Sequence, residues 1–468
     1  MSPALLSRRL QSLAHAGVID RHEDGSRVTY MLTGDPALVE ALAVRRRPAP
    51  RVADTIPGPG GHRLTRPASN RAPDPTPIPS PARSLAASIA VTAVVALPSL
   101  LVGGLAVLIQ QDLDFGEAEL GIAIAASFAT GACIAVPAGR MAERIGPRRT
   151  TWLGLTFAFV ALLGIGLVAR SWPILVLFLI FAGAGVTTVQ LGLNVLLARA
   201  VPPRRQGLAF GTKQAAVPFA SLLAGLALPV IGLTVGWQVA FVLGAVLVPV
   251  VALGLPDAAP ARLRADGPTD GSAPLAGLVL LMVGVALASA GGNSAPAFTV
   301  ASAVNHGVEP SVAGLILAFG SLVGILVRVT AGWVGDRLGR GSLLLVVALI
   351  GVGSIAYVGL ALTDHPVLIA IFTALAFGGG WGWGGLILLA LTRTSPTAPG
   401  RAMGIVQVGP MTGAVLGPLV FGTLAEQVSF TAAWGAMALL ALLGFATILV
   451  SRAVLTRARQ VVPVPSVR

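Results

Sequence analysis

From Ser84 to about Arg452 the chain is a succession of apolar runs of about 20 residues or more, split by short polar turns. A helix of about 20 apolar residues crosses the ~30 Å hydrocarbon layer, and within lipid only helices and closed barrels satisfy their own backbone. The runs place spans near residues 85–109, 118–140, 150–169, 173–199, 207–232 and 236–255. A second set falls near 274–300, 310–334, 342–363, 366–392, 400–424 and 430–451. The expectation is an all-α membrane protein of twelve transmembrane helices. A composition of 55% hydrophobic and 11% charged residues agrees, since it exceeds what a soluble fold needs to bury. The first span starts too far into the chain to be a secretory signal.

Ahead of the spans, residues 1–47 are polar, and residues 48–83 hold ten prolines in 36 residues, the composition of an extended linker. The spans divide into a half at 84–256, a connecting loop at 257–273, a half at 274–456 and a tail at 457–468.

A formal charge of +13 raises the question of nucleic acid, but most cations flank apolar runs. Alternate loops carry Arg140, Arg144, Arg148 and Arg149, then Arg199, Arg204 and Arg205, then Arg262 and Arg264, then Arg337, Arg340, Arg393 and Arg401. The opposite loops carry only Arg170, beside Asp112, Asp114, Glu117, Glu119, Glu309, Asp364 and Glu426. By the positive-inside rule the basic loops and both termini are expected in the cytoplasm. The arginine- and alanine-rich bias, with Lys213 the sole lysine among 32 basic residues, points to a bacterial plasma membrane. The single cysteine, Cys133, excludes an internal disulfide framework and reads as a packing residue.

The two sets of spans repeat at an offset of 193 residues. Gly131 matches Gly324, Gly139 matches Gly332, Arg144 matches Arg337 and Gly146 matches Gly339. Pro173/Pro366, Gly192/Gly385, Pro203/Pro396, Gly207/Gly400, Gly211/Gly404 and Gln214/Gln407 continue the series. Six crossings are an even number, so the halves share one orientation and are related by an axis along the membrane normal.

On these residues the chain resembles the major facilitator superfamily over about 370 positions. That family's loop between helices 2 and 3 reads G-x-x-x-D-R-x-G-x-R-R. Here residues 139–149 are GRMAERIGPRR, with Glu143 in the aspartate position, and residues 332–341 are GWVGDRLGRG. The resemblance implies alternating access between two six-helix halves. It also implies a gating role for Gly139, Glu143, Arg144, Gly146, Gly332, Asp336, Arg337 and Gly339. A carboxylate at the membrane edge can meet the positive N-terminus of a facing helix; the plainer reading is that these charges only mark a loop.

None of the nineteen acidic residues falls in a membrane interior, but two cations do. Arg328 lies eight residues before Asp336, roughly 12 Å into the hydrocarbon. Such a charge costs about 2.5–3.5 kcal/mol on insertion scales and needs a partner. Its neighbours Gly320, Gly324, Ala331, Gly332 and Gly335 form a small-residue face of the kind that packs on helices. Two partners fit: a bound carboxylate, which matches the planar fork, or backbone carbonyls and waters. Some carboxylate-transporting members of the superfamily look similar, with an arginine in helix 8. Lys213, six residues after Gly207, either snorkels to the interface, adds charge to a cavity or titrates.

Gln190 and Asn194, four residues apart in the fourth span, line a cavity or bond a neighbouring helix. Gln214 and Gln407, paired by the repeat, are expected beside the central axis, and Asn293 lies in the bend-prone run SAGGNSAP. In GGGWGWGG at 378–385, Trp383 matches Gln190 by the offset, so it is either a cavity wall or a packing residue. The helix 5 antiporter run of the family, GPxxGG-like, is replaced by AAVPFASLLAGLALP, and GPMTG occurs at 409–413 instead. No metal cluster, cofactor motif, nucleophile site or GxxxxGK[ST] run is visible, which argues against an enzyme or an ATP-driven pump.

Residues 2–33, within a fragment spanning 1–47, resemble the second half of a winged helix-turn-helix of the ArsR kind. The resemblance makes residues 2–16 a recognition helix, offers Arg8 and Arg9 to DNA, and sets a wing about Asp24-Gly25. The leading helices of such a fold are missing, which weighs against a DNA-bound protein. The expected function is therefore secondary transport of a small organic anion by a monomer, with a coupling proton or counter-substrate. Drug export and a membrane-anchored DNA-binding regulator are the alternatives.

Overall fold

The structure is a computed structural model describing residues 19–24, 27–32, 80–201, 206–256, 274–338, 342–394 and 404–460. The chain divides into two units, Met1–Ala72 and Pro73–Arg468. In the first, β1 (Ile19–Asp24) pairs antiparallel with β2 (Arg27–Leu32), with Asp24 opposite Arg27. Strands stand where the sequence places a wing; Arg8 and Arg9 lie outside the described residues.

The second unit is helical. Its first half comprises α1 (Pro81–Gly104, continued by Ala106–Leu113), α2 (Glu117–Ile145), α3 (Pro147–Leu167) and α4 (Trp172–Ala200). Next come α5 (Gln206–Gln214, Ala216–Ala227 and a π-helical turn Leu228–Gly232, ending at Val235) and α6 (Trp237–Leu253). The second half comprises α7 (Leu275–Asn305), α8 (Pro310–Leu338) and α9 (Ser342–Leu362). It ends with α10 (Pro366–Leu375, a π-helical turn Ala376–Gly380, then Gly384–Thr394), α11 (Val408–Gln427) and α12 (Phe430–Gln460).

Eleven of these helices carry apolar spans of 21–31 residues, and α6 is a shorter apolar helix of 17, still long enough to cross. The expected twelve spans in two six-helix halves are thus present. Prolines stand in the first turns of α3, α4 and α10, where the missing N–H costs nothing. Gly146 (φ 87°) makes the turn between α2 and α3, and Gly236 (φ 99°) the turn between α5 and α6; both lie in the left-handed region that other residues avoid.

The apolar cores are arranged unevenly between the two ends. At the end bearing the acidic loops, one continuous cluster joins the halves, linking Leu105, Ile109 and Leu228 with Phe298, Phe421 and Trp434. At the end bearing the basic loops the cores are separate: Leu278, Val346, Trp383 and Ile448 in the second half, Leu197, Val201 and Ala209 in the first.

Small residues let the helices approach to backbone contact. A β-carbon at Gly444 of α12 would lie 2.7 Å from the Gly284 carbonyl oxygen of α7, whereas one at Gly435 meets nothing within 4 Å. Gly444→Ala should therefore cost about 1–3 kcal/mol through overpacking. The expected result is a lowered unfolding midpoint in lipid nanodiscs, with Gly435→Ala on the same helix unchanged.

Candidate functional site

The halves meet along two seams, α5 against α8 and α2 against α11. On the first, glycines bring backbones together over the whole length. β-carbons at Gly211 and Gly332 would each lie 2.9 Å from a carbonyl oxygen of the opposite helix, Arg328 and Gly207 respectively. Further along, Ser321 donates to Ser221 at 2.9 Å, and Gly225 lies against Gly314. The second seam is closed only at the acidic end, where Gly121 packs on Pro418 and Gly422. Toward the basic end its facing residues emerge. Gly121 and Ala125 are buried, Phe128 is half-buried, and Ala132 and Val136 are exposed; Gly422 and Pro418 are buried, Met411 half-buried, and Val408 and Gly404 exposed. Val136 is 63% exposed and Val408 53%. The α2–α11 pair thus parts toward the basic loops.

Lys213 and Arg328 lie on the closed α5–α8 seam. Lys213 is only 1% exposed, so it does not snorkel. Its ammonium donates to Asn194 Oδ1 at 2.7 Å and to Gln190 Oε1. Three of the residues singled out in the sequence therefore form one polar cluster between α4 and α5.

Arg328 is 6% exposed. Nη1 donates to the Gln214 carbonyl at 2.6 Å and Nη2 to the Trp381 carbonyl at 2.8 Å, while the guanidinium sits 4.5 Å from the Trp381 ring centroid. Both acceptors are products of broken helices. Pro218 has no N–H, so the carbonyl four residues earlier, that of Gln214, lacks its helical donor. Trp381 stands at the interruption between the two parts of α10. Among the described residues, Arg328 Nε and Gln214 Oε1 are buried without a partner. Neither cation forms an ion pair among the described residues. Because Lys213 precedes Gln214, whose carbonyl holds Arg328, the two charges share one level of the seam.

The other sequence candidates are dispersed. Asn293 donates within α7 to Ser289 O and Oγ, both at 2.9 Å, and Ser289 donates to the Pro410 carbonyl of α11 at 3.0 Å. Gln407, just before α11, is exposed while its repeat mate Gln214 is half-buried. Trp383 is buried in the second-half core and donates to the Gly380 carbonyl at 2.8 Å. Trp381, not singled out as a contact residue, is the one that meets Arg328. Its signal was its place in a glycine-rich break, and the proline four residues after Gln214 was the matching signal in α5.

At the basic end, Asp336 of α8 receives the Gly207 amide at 3.2 Å and the Leu208 amide at 2.8 Å, at the N-terminus of α5. A carboxylate there satisfies two of the four orphan amides and faces the positive end of the helix dipole. Gly332 lies one turn earlier on the seam, and Arg337 is stacked on Trp333, its guanidinium carbon 3.6 Å from the ring centroid. In the first-half loop, Gly139 has open space around it, Arg144 is exposed and Gly146 makes the turn. The Glu143 side chain and Gly339 lie outside the described residues. At the acidic end, Glu426 of α11 accepts from the Ala118 amide at 2.8 Å, and Glu119 from the Gly116 amide at 3.0 Å. Two carboxylates thus join the halves through helix N-termini, one at each end.

Asp336→Ala should free the Gly207 and Leu208 amides. Hydrogen exchange of the peptide containing them is expected to accelerate roughly 5- to 30-fold, as for a loss of about 1–2 kcal/mol.

The sequence profile of the Major Facilitator Superfamily matches residues 87–292 and again 279–466. A chloramphenicol resistance protein of Streptomyces lividans is 28% identical over 344 residues, covering 69% of this chain and 84% of that one. Among solved structures, a bacterial homolog of the human lysosomal transporter Spinster, inward-facing and unoccupied, superposes with a TM-score of 0.56 at 15% identity. The match covers 82% of this chain and 97% of that one. The occupied inward-facing form gives 0.55 at 16% identity, over 80% and 96%. Matched by the profile in both halves and built as two six-helix bundles, this chain belongs to the major facilitator superfamily.

Proposed function

We propose that the chain is a secondary transporter that moves a small organic anion by alternating access, from a site about Lys213 and Arg328. The observation that carries this reading is the pair of buried cations with neutral partners only. Lys213 is held by two amide oxygens and Arg328 by two carbonyls. Buried charge is costly unless compensated, and a solute carboxylate supplies that compensation. The unpartnered Arg328 Nε is a further donor for it. Gln190 and Asn194 position the lysine, and Trp381 forms an aromatic wall behind the guanidinium.

With the basic loops in the cytoplasm, the parted end of the α2–α11 seam opens inward, and the joined apolar core seals the outer end. A coupling proton or counter-solute then supplies the energy, and a monomer suffices because the site lies within one chain. The setting is a bacterial plasma membrane.

A second reading, drug export, is favoured by the relative from Streptomyces lividans, which shares most of its length with this chain. Flux into proteoliposomes separates the two. Under the anion reading, at least one of acetate, succinate, citrate and benzoate is transported and chloramphenicol is not. Arg328→Gln and Lys213→Gln each then reduce uptake tenfold or more, about 1.4 kcal/mol of lost recognition. Chloramphenicol flux that is indifferent to both substitutions would sink the anion reading and leave drug export standing.

A further inference from the structure

Arg328 spans a boundary that must move. Its own helix, α8, and its second acceptor, Trp381 of α10, belong to one half; Gln214 of α5 belongs to the other. The guanidinium is pinned to its own half on three sides: by its stem on α8, by the Trp381 carbonyl and by the Trp381 ring at 4.5 Å. It cannot follow α5. A separation of the two helices by about 1 Å along this bond carries the 2.6 Å contact with Gln214 out to the limit at which a hydrogen bond fails. On the other side, Pro218 leaves the Gln214 carbonyl without a helical donor, so Arg328 supplies its partner.

We propose that Arg328 is a positioning residue that ties the halves together in the state open at the basic loops, and that this tie must break for the α2–α11 seam to close there. A contact made in one state and absent from the other sets the balance between them by its whole free energy. The acceptor is a neutral carbonyl, whereas an anion bound nearby accepts more strongly from a guanidinium. Solute binding thereby competes with the tie, a step that rests on the anion reading. The tie itself does not, because it is made entirely between the chain's own residues.

The remaining charged and polar groups near the tie do not substitute for it. Lys213 on α5 is engaged by Gln190 and Asn194 of α4. Asp336 of α8 is engaged by the N-terminus of α5, more than two turns away. The Ser321–Ser221 hydrogen bond crosses the same seam without charge.

The test measures the separation of α2 and α11 at the basic end. Spin labels at Val136→Cys and Val408→Cys, in a full-length chain carrying Cys133→Ser, are read by pulsed dipolar spectroscopy in lipid nanodiscs without solute. Pro218→Ala returns a backbone N–H to α5, which competes for the Gln214 carbonyl while leaving Arg328 in place. Arg328→Lys keeps the charge but loses the fork that reaches both carbonyls. Both are expected to raise the ratio of short to long separations roughly tenfold, the effect of losing one hydrogen bond to a charged group. Pro218→Ala should do so without lowering the unfolding midpoint, which a purely structural role would not predict. A distribution like the parent's in either variant overturns the proposal. Because no solute is present, that outcome is independent of whether anions are transported.

Discussion

Hydrocarbon offers no hydrogen-bond partner, so every break in a spanning helix leaves polar backbone that another group must satisfy. This constraint organises the centre of the molecule. Pro218 interrupts α5 and the glycine-rich run 378–385 interrupts α10, and each leaves a carbonyl that a straight helix would have used. Arg328 collects both. The buried guanidinium and the two helix breaks thus solve one problem together. The charge gains acceptors that need no acid, and the broken helices gain a donor that needs no water.

The internal repeat makes the molecule nearly symmetric in sequence, yet its two seams differ. The α5–α8 seam is closed along its length by glycines meeting backbone, with Asp336 fastening the N-terminus of α5. The α2–α11 seam closes only near Gly121 and Gly422 and diverges beyond Phe128. Gln214 and Gln407 illustrate the consequence: equivalent in the repeat, one is half-buried beside Arg328 and the other is exposed. The same transmembrane positions therefore carry different roles according to which seam they occupy.

Much of this was legible beforehand. Span number and the two-half division follow from hydropathy and repeat, which are local or periodic signals; the carboxylate-to-helix contact at Asp336 was one of two readings that the loop motif left open. Gln190, Asn194 and Lys213 were marked by being polar where lipid makes polarity expensive, and they do converge. The repeat offset drew attention to Trp383 and passed over Trp381, because two residues separated by one glycine in a broken helix point in directions set by the break. Trp383 turned into the core and Trp381 onto the guanidinium. Glu426 carried no motif, and its contact with the N-terminus of α2 joins residues 308 positions apart.

The sequence by itself determined the fold class, because apolar length and backbone satisfaction in lipid make such runs spanning helices, and the 193-residue repeat sets them in two halves. It also determined that Arg328 and Lys213 needed partners other than acids, because no acid was placed in the membrane interior. Only the tertiary structure decided which partners they have in this state. The carbonyls of Gln214 and Trp381 become acceptors through helix breaks on two different helices, and their convergence on one side chain depends on how closely glycine lets α5 approach α8.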